Sequence, residues 1–455
     1  MTRPSLSEHR ALAVLAAPIA VTQLAQVALT TTDTIMIGIL GAGALAGGGL
    51  AIVLFNQVRT MGVGLVTAAG NQVAAAVARG EQRGADHAEE IRDLVRSALL
   101  VATAAGLVGA TLLMAIGQTL TGLGQDPQVA ALARMMLVAL APGLLPCLWF
   151  QVLRQYTVGM RRPHALMWIT VGSIAVNALL NAVLGFGLGP LPRLGLVGIG
   201  TATTLVYVLS FVVLYLAIRR DQVLAPMVSL SIWRARGSTT RRLLRLGVPI
   251  AATYGSEAGI FSVIALIMGT FGAAVLAAHT VVNQLVYVVF QVSIGISHGS
   301  SILVSREIAS GRSEPARQLA RIALLQGAAV AAFVAVFYLA VPGWVLGVFL
   351  DPGDPADAAA IGVATHLLMV AAVLQFADFA QNIGVGLLRG LDDTKAGFRA
   401  TLLGYWVIGL PVALLLGRLV GLGPVGVWLG LLGGLAATAF LLLRRYARVL
   451  AATNW

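Results

Sequence analysis

Three acidic side chains lie in stretches of sequence that are otherwise uncharged and largely apolar. They are Asp33, Glu257 and Asp378; the other fifteen of the eighteen Asp and Glu residues fall in polar segments. A carboxylate near the centre of a bilayer costs about 2.5–3.5 kcal/mol on insertion scales. Protonation removes that charge and a bound cation compensates it. The three acids are therefore candidate binding sites for H⁺ or Na⁺.

Uncharged polar residues accompany the acids at helical spacing. Steps of three or four residues place such groups on one face of a helix. The stripes are Thr22, Gln26, Thr30 and Asp33; Gln375, Asp378, Gln381 and Asn382; His279, Asn283, Tyr287 and Gln291; and Ser173, Asn177 and Asn181. Each stripe can join helices through hydrogen bonds, typically under about 2 kcal/mol each, or line a polar cavity. An acid within a stripe favours the cavity. The predicted supporting residues are Gln26, Thr30, Asn177, Asn283, Tyr287, Gln381 and Asn382.

The elements that hold these residues have the length of membrane-spanning helices. A span needs about 20 predominantly apolar residues. Twelve segments qualify: 12–38, 46–76, 95–119, 129–155, 163–187, 195–219, 244–270, 274–304, 318–342, 358–388, 398–419 and 423–444. Only 11% of the residues are charged, less than half of the roughly 25% usual in soluble proteins. We predict an all-α polytopic membrane protein and exclude a set of soluble domains.

The positive charges predict an orientation. With both termini in the cytoplasm, 26 of the 30 Lys and Arg residues fall on the cytoplasmic side. The opposite side holds Arg134, Arg193 and Arg418, and Arg59 falls within a span. This bias follows the positive-inside rule and accounts for the net charge of +12 without a nucleic-acid partner. We expect a multi-pass protein of the inner or plasma membrane, with the lipid bilayer as its surroundings.

The two halves of the chain repeat at one constant offset, the separation between Pro18 and Pro249. The pairs are Pro18-Ile19-Ala20 with Pro249-Ile250-Ala251, Gly38 with Gly269, Gly41 with Gly272, Asp126 with Asp357 and Gly159 with Gly390. Repeats of six spans each predict an N-lobe at 1–219, a cytoplasmic connecting loop at 220–243 and a C-lobe at 244–455. Internal repeats are typical of transporters, and a pore built from several subunits is the less favoured alternative.

Several kinds of chemistry are excluded or disfavoured by single residues. Lys395, the only lysine, follows a threonine, so the phosphate-binding loop of an ATP-driven pump cannot be present. Cys147, the only cysteine, excludes an intrachain disulfide and a cysteine-based zinc site. The histidines show no metal-binding spacing; His279 and His298 lie within spans, where interhelical hydrogen bonding is the favoured role. We expect no enzyme activity and no cofactor.

Two short motifs resemble signatures of the multidrug and toxic compound extrusion (MATE) family. They are Asp33-Thr34-Ile35-Met36-Ile37-Gly38 in the first span and Leu388-Arg389-Gly390-Leu391-Asp392-Asp393-Thr394 at the exit of the tenth. Twelve spans, duplicated halves and a basic central loop extend the resemblance over essentially the whole chain. The resemblance implies two pseudo-symmetric six-helix lobes in a V-shaped arrangement.

The resemblance also implies a function and roles for the acids. It implies a monomeric antiporter that exports amphipathic, mostly cationic drugs in exchange for Na⁺ and/or H⁺. In the NorM-type branch, acids at the positions of Glu257 and Asp378 bind the coupling cation, and an acid at that of Asp33 serves proton coupling. Arg59 departs from the family pattern, and a pair with Asp33 would compete with that proton role.

Three other functions stay open at this point. A flippase for lipid-linked intermediates would favour a basic cavity, whereas three acids against one arginine make this one acidic. A membrane-embedded enzyme would need a nucleophile with its base, or a metal set. A lipid scramblase would need no coupling acid.

Overall fold

The structure is a computed structural model that describes residues 6–84, 87–122, 124–188, 192–351, 353 and 355–452. Within these ranges, twelve helices are long and apolar enough to cross a membrane. They are α1 Leu6–Ile39, α2 Ala42–Arg83, α3 Ala88–Thr119, α4 Pro127–Gly159, α5 Ala165–Gly185, α6 Gly195–Arg220, α7 Gly237–Gly269, α8 Ala273–Ala309, α9 Ser313–Ala340, α10 Pro355–Gly390, α11 Thr394–Leu419 and α12 Gly423–Ala452. The predicted all-α class and the twelve spans are confirmed.

Several helices run past the predicted ends of their apolar segments. Helix α3 begins at Ala88 rather than at residue 95, and α2 continues to Arg83 rather than to residue 76. The added turns are rich in charged residues. Backbone hydrogen bonding continues beyond the apolar part of each helix, so hydropathy marks the apolar segment and not the helix end.

The internal repeat is visible in the backbone. Gly41 and Gly272 precede α2 and α8 with φ of 116° and 114°. Arg161 and Asp392, the same distance apart in sequence, both have φ of 59° in the turns after α4 and α10. Non-glycine residues rarely adopt this left-handed conformation. The shared exceptions therefore support two copies of one folding unit.

The described residues pack into two compact units whose limits lie inside α1 and α7. The N-terminal unit comprises Val21–Ala252, and the C-terminal unit comprises residues up to Ala20 together with those from Thr253 onward. The predicted lobe limits at 219 and 244 followed the order of spans. The packing units differ from them because the start of α1 packs with the second repeat and the start of α7 packs with the first repeat. In the C-terminal unit, for example, a Cβ on Gly295 would lie 2.7 Å from that of Ala20.

The predicted connecting loop, 220–243, is held on the N-terminal unit. Both carboxylate oxygens of the buried Asp93 accept hydrogen bonds, from the Arg236 amide at 2.9 Å and from the Thr239 hydroxyl. The Tyr156 hydroxyl donates to a loop carbonyl 2.7 Å away. These bonds fix the entry to α7.

Candidate cation and proton sites

Asp33 is buried in the N-terminal unit, where neutral groups bind both of its carboxylate oxygens. Asn181 Nδ2 donates to Oδ1 at 2.7 Å, and Thr203 Oγ1 lies 2.8 Å from Oδ2. Asn181 also donates to Asn177 Oδ1 at 3.2 Å. The stripe on the fifth helix and the acid on the first therefore meet in one hydrogen-bonded cluster.

The partners of Asp33 fit both of its protonation states. Thr203 Oγ1 lies 3.1 Å from the carbonyl oxygen of Ile199, besides its 2.8 Å contact with Asp33. A hydroxyl has one proton and two lone pairs. The Thr203 hydroxyl can therefore donate a hydrogen bond to Asp33 when Asp33 is a carboxylate. When Asp33 is protonated, the same hydroxyl can donate to the Ile199 carbonyl and accept a hydrogen bond from the carboxylic acid. Asn181 opens a π-helical segment, Asn181–Gly185, a distortion frequent at functional sites.

Gln26, Thr30 and Arg59 form a neighbouring polar group. Arg59 Nη1 donates to Gln26 Oε1 at 3.3 Å, and its Nε donates to Asn56 Oδ1 at 3.1 Å. Thr30 donates to the carbonyl of Gln26 on its own helix. Gln26 thus serves as an acceptor for the intramembrane arginine, while the hydrogen bonds described for Asp33 come from an amide and a hydroxyl.

Glu257 and Asp378 are neighbours within the C-terminal unit. Their carboxyl groups lie close enough to interact electrostatically, and Tyr405 interacts with both. The Tyr405 hydroxyl donates to Glu257 Oε1 at 3.1 Å. Asn382 Nδ2 donates to Asp378 Oδ1 at 3.1 Å, while Oδ2 is buried with no hydrogen-bond partner among the described residues. Two acids with one unfilled oxygen position can accept a proton or a cation.

A small pocket lined mainly by polar residues lies beside Glu257. It is lined by Thr253, Tyr254, Glu257, Ile294, Ser297, His298, Gln381, Asn382, Val385 and Arg389, all from α7, α8 and α10. Asn382 connects the pocket to Asp378, and Gln381 Oε1 is buried without a partner in the described part of the chain. The two predicted tenth-span amides therefore lie beside the acids.

The buried Arg389 from the second motif lines the same pocket. Its Nη1 lies 3.1 Å from His298 Nε2, and the Tyr254 hydroxyl lies 3.5 Å from the same nitrogen. A guanidinium can only donate, so this bond requires His298 Nε2 to be unprotonated. His279 Nδ1 accepts from Trp428 Nε1 at 3.2 Å. Hydrogen bonding of both intramembrane histidines is as expected.

Two predicted supporting residues lie elsewhere. Asn283 is half-buried on α8, and Tyr287, on the same helix, is 45% exposed and stacks against Phe290 at 6.1 Å. Neither lines the pocket beside Glu257. Steps of four residues drift around an α-helix by about 40° each. The two ends of the stripe, His279 and Gln291, are buried, whereas Asn283 and Tyr287 between them are not.

Sequence reasoning missed three contributors to these sites. Thr203 is one of several hydroxyl-bearing residues in its span, which also carries Thr201 and Thr204, and nothing in the sequence distinguishes it from them. Tyr405 lies in an apolar stretch, 402–410, without a polar stripe. Arg389 was noted as part of a motif but not as a lining residue. Its position beside Gly390, at the end of a predicted span, was the available signal.

The oxygen atoms around Glu257 and Asp378 suit a hard cation better than a structural transition metal. Among the described residues, no three His, Cys, Asp or Glu side chains gather as metal ligands. Two carboxylates with amide and hydroxyl oxygens nearby match the preference of hard cations for oxygen. The arrangement therefore offers oxygen ligands to a hard cation.

A family model described as MatE matches the chain twice, over residues 18–183 and 249–415. The starts of the two matches are separated by the same offset as the internal repeat, and together the matches cover more than half of the chain. The chain belongs to the MatE family. As a MatE protein it is a membrane transporter and not an enzyme, which confirms the resemblance seen in the two motifs.

Similar proteins extend this match over nearly the whole chain. The probable multidrug resistance protein NorM of Pseudomonas aeruginosa is 38% identical over 440 residues, covering 96% of this chain and 89% of that protein. Its counterpart in Deinococcus radiodurans is 35% identical, covering 98% and 96%. The structure of the Vibrio cholerae MATE transporter VcmN in the bent form gives a TM-score of 0.85 at 15% identity, with 98% of each chain covered. The eukaryotic MATE transporter AtDTX14 gives 0.84 at 19% identity, again with 98% of each chain covered. Both structures share the fold of this MatE protein.

Proposed function

We propose that this MatE protein is a secondary active multidrug efflux antiporter. It exports amphipathic, mostly cationic compounds in exchange for Na⁺ and/or H⁺ by alternating access. It works as a monomer in the inner or plasma membrane, with both termini in the cytoplasm. The drug-resistance names of its relatives support efflux over the flippase and scramblase alternatives.

The observation that carries the proposal is the buried pair of Glu257 and Asp378. Two carboxylates that interact in a low-dielectric interior cannot both stay ionised and uncompensated at low cost. A proton or a Na⁺ ion relieves their repulsion. Tyr405 and Asn382 each bind one carboxylate oxygen, and Asp378 Oδ2, which has no hydrogen-bond partner among the described residues, is available to the ion.

Coupling follows from a difference in ion affinity between two conformations. An ion shifts a conformational equilibrium only by as much as it prefers one state. Outside the cell, the ion binds Glu257 and Asp378 and favours the state that releases drug. Loss of the ion inside restores the state that accepts drug. By the same linkage, binding of drug lowers the affinity for the ion, so that drug and ion are exchanged for each other.

Asp33 provides a separate proton-binding group in the N-terminal unit. Asn181 and Thr203 can donate hydrogen bonds to its carboxylate form, and Thr203 can also accept a hydrogen bond from its protonated form. Change of its charge alters which hydrogen bonds join α1, α5 and α6. A cationic drug is favoured when the acid is ionised, because the charges then complement each other.

The direct test uses proteoliposomes with an imposed Na⁺ or pH gradient and a fluorescent organic cation. We expect either or both gradients to drive transport, and Glu257→Gln and Asp378→Asn to lose most of it. Glu314→Gln and Asp357→Asn are matched controls at helix starts and should transport as the unmodified protein does. Transport driven by neither gradient would refute antiport. Normal transport by both site variants would refute the assigned ion site.

A further inference from the structure

Arg59 is an intramembrane cation with no part in the exchange cycle described above. It donates to Gln26 at 3.3 Å and to Asn56 at 3.1 Å. It also interacts with the thiol of Cys147, which is fully buried, and with Tyr207. Helices α1, α2, α4 and α6 of the N-terminal unit thus bring amides, one thiol and one phenol around a single guanidinium.

The repeat relates this cluster to the site of the two acids. The offset that takes Pro18 to Pro249 also takes Gln26 to Glu257 and Cys147 to Asp378. Asp126 and Asp357 before these residues, and Gly159 and Gly390 after them, keep the same offset. Two of the residues that contact Arg59 are therefore the repeat counterparts of the two acids in the C-terminal unit.

The positive charge of Arg59 is not repeated in the second half of the chain. The counterpart of Arg59 is Phe290, an aromatic residue without charge. The C-terminal repeat thus has two acids and no built-in cation at this position, whereas the N-terminal repeat has a built-in cation and no acid at the corresponding two positions.

We propose that Arg59 is a tethered cation that occupies, in the N-terminal repeat, the site that the coupling ion uses in the C-terminal repeat. This inference rests on the proposed role of Glu257 and Asp378. A free ion must be drawn from water, so its site needs carboxylates. A covalently attached cation is present at high effective concentration, and neutral acceptors such as the Gln26 amide are then sufficient.

The consequence is a single exchangeable ion site of this type in the described part of the chain. Arg59 keeps the N-terminal copy occupied at every stage of transport, whatever the ion concentration. Of these two duplicated sites, only the C-terminal one then binds an ion from the gradient, and Asp33 remains a separate proton-binding group. The arginine in the second span is thereby explained: its guanidinium prevents a free ion from binding at one of the two duplicated sites.

The test transplants the ion site from one repeat to the other. The background variant, E257Q/D378N, should lose the rise in melting temperature that Na⁺ at pH 8 gives the purified protein. Acidification without Na⁺ is tested in the same variants carrying Asp33→Asn, because Asp33 is a separate proton-binding group. Adding R59M/Q26E/C147D to this background should restore an ion-dependent rise of at least about 3 °C, through linkage of binding to stability. Adding Q26E/C147D while keeping Arg59 should restore less than a third of that rise, because the guanidinium competes for the site.

Two further variants keep the inference testable if the combined variant fails to fold. Q26E alone should raise the melting temperature, because the introduced carboxylate would pair with Arg59, and R59K/Q26E should behave in the same way. R59M/Q26E should melt below Q26E and regain stability when Na⁺ or acid is added. Equal melting of Q26E and R59M/Q26E, with no ion dependence in either, would overturn the inference.

The proposed function and the inference fail in different ways. If the unmodified protein shows no ion-dependent stabilisation, the assignment of Glu257 and Asp378 is wrong. If the unmodified protein responds, E257Q/D378N does not, and a folded transplant stays unresponsive, the tethered-cation inference alone is wrong.

Discussion

The hydroxyl of Tyr405 donates a hydrogen bond to Glu257 Oε1 over 3.1 Å, across a sequence separation of 148 residues. Tyr405 belongs to a π-helical segment of α11, Leu403–Gly409, which widens the turn that carries it. Glu257 lies on α7, so the bond joins the first and fifth helices of the second repeat at the candidate ion site. A hydrogen bond to a carboxylate stabilises its charged form, which is the form that binds Na⁺.

Tyr405→Phe should weaken Na⁺ binding. Loss of a hydrogen bond worth about 1.4 kcal/mol corresponds to a tenfold loss of affinity. The measurement is the Na⁺ concentration that half-maximally drives transport. Tyr446→Phe is the control, because its hydroxyl donates to the Ala316 carbonyl at 2.8 Å, away from the acids. An unchanged Na⁺ requirement in Tyr405→Phe would show that this bond does not support ion binding.

Asp33→Asn should abolish the part of transport that a pH gradient drives. An amide cannot release a proton, and loss of a coupling energy of about 1–3 kcal/mol lowers gradient-driven accumulation by about 5–150-fold. The measurement is accumulation of a fluorescent cation in proteoliposomes under a pH gradient. Asp126→Asn is the matched control, since asparagine also caps the start of α4. Full accumulation by Asp33→Asn would exclude a proton role.

Gly386→Ala should separate α8 from α10 beside the ion site. A Cβ at Gly386 would overlap the Ser297 carbonyl oxygen, a rigid backbone atom. Overpacking of this kind costs about 1–3 kcal/mol, so we expect a melting temperature several degrees lower. Gly362→Ala on the same helix meets no atom within 4 Å and should not be destabilised. Equal melting of the two variants would contradict the close approach.

Asp221 should make the connecting loop sensitive to acid. Its partial burial acts to raise its pKa, but the amides of Leu224 and Val223 and the guanidinium of Arg162 outweigh this effect and lower the pKa below its usual value. A lowered pKa in the folded state stabilises the fold above the unfolded value of about 3.9, and this stability is lost as the pH falls through the folded value. Asp221→Asn should therefore melt below the unmodified protein at about pH 7.

The pH series provides the check on that prediction. The difference in melting temperature between Asp221→Asn and the unmodified protein should shrink below about pH 4, because both side chains are then increasingly neutral. A difference that persists unchanged as the pH falls well below that value would mean that the substitution acts through packing. Asp351→Asn, in a different loop, serves to correct for the general effect of acid.

The spans and the candidate acids could be predicted because their signals are local. A run of apolar residues identifies a span by itself, and an acid within it stands out without reference to any other residue. The fixed offset between the two halves also lies in the sequence, and the repeated φ angles at Gly41 and Gly272 agree with it. Asn283 and Tyr287 on α8 lie outside the pocket beside Glu257, and their supporting role stays a prediction.

The sequence by itself determined that the chain is helical, crosses a membrane, repeats once and keeps three acids where charge is costly. Only the tertiary structure decided which groups surround each acid. Asn181 and Thr203 lie 148 and 170 residues from Asp33, and no local pattern encodes such a meeting. The physical reason is that hydropathy depends on each segment alone, whereas hydrogen-bond partners depend on how whole helices pack. The same packing placed Arg59 beside Gln26 and Cys147, which lie far from it in sequence.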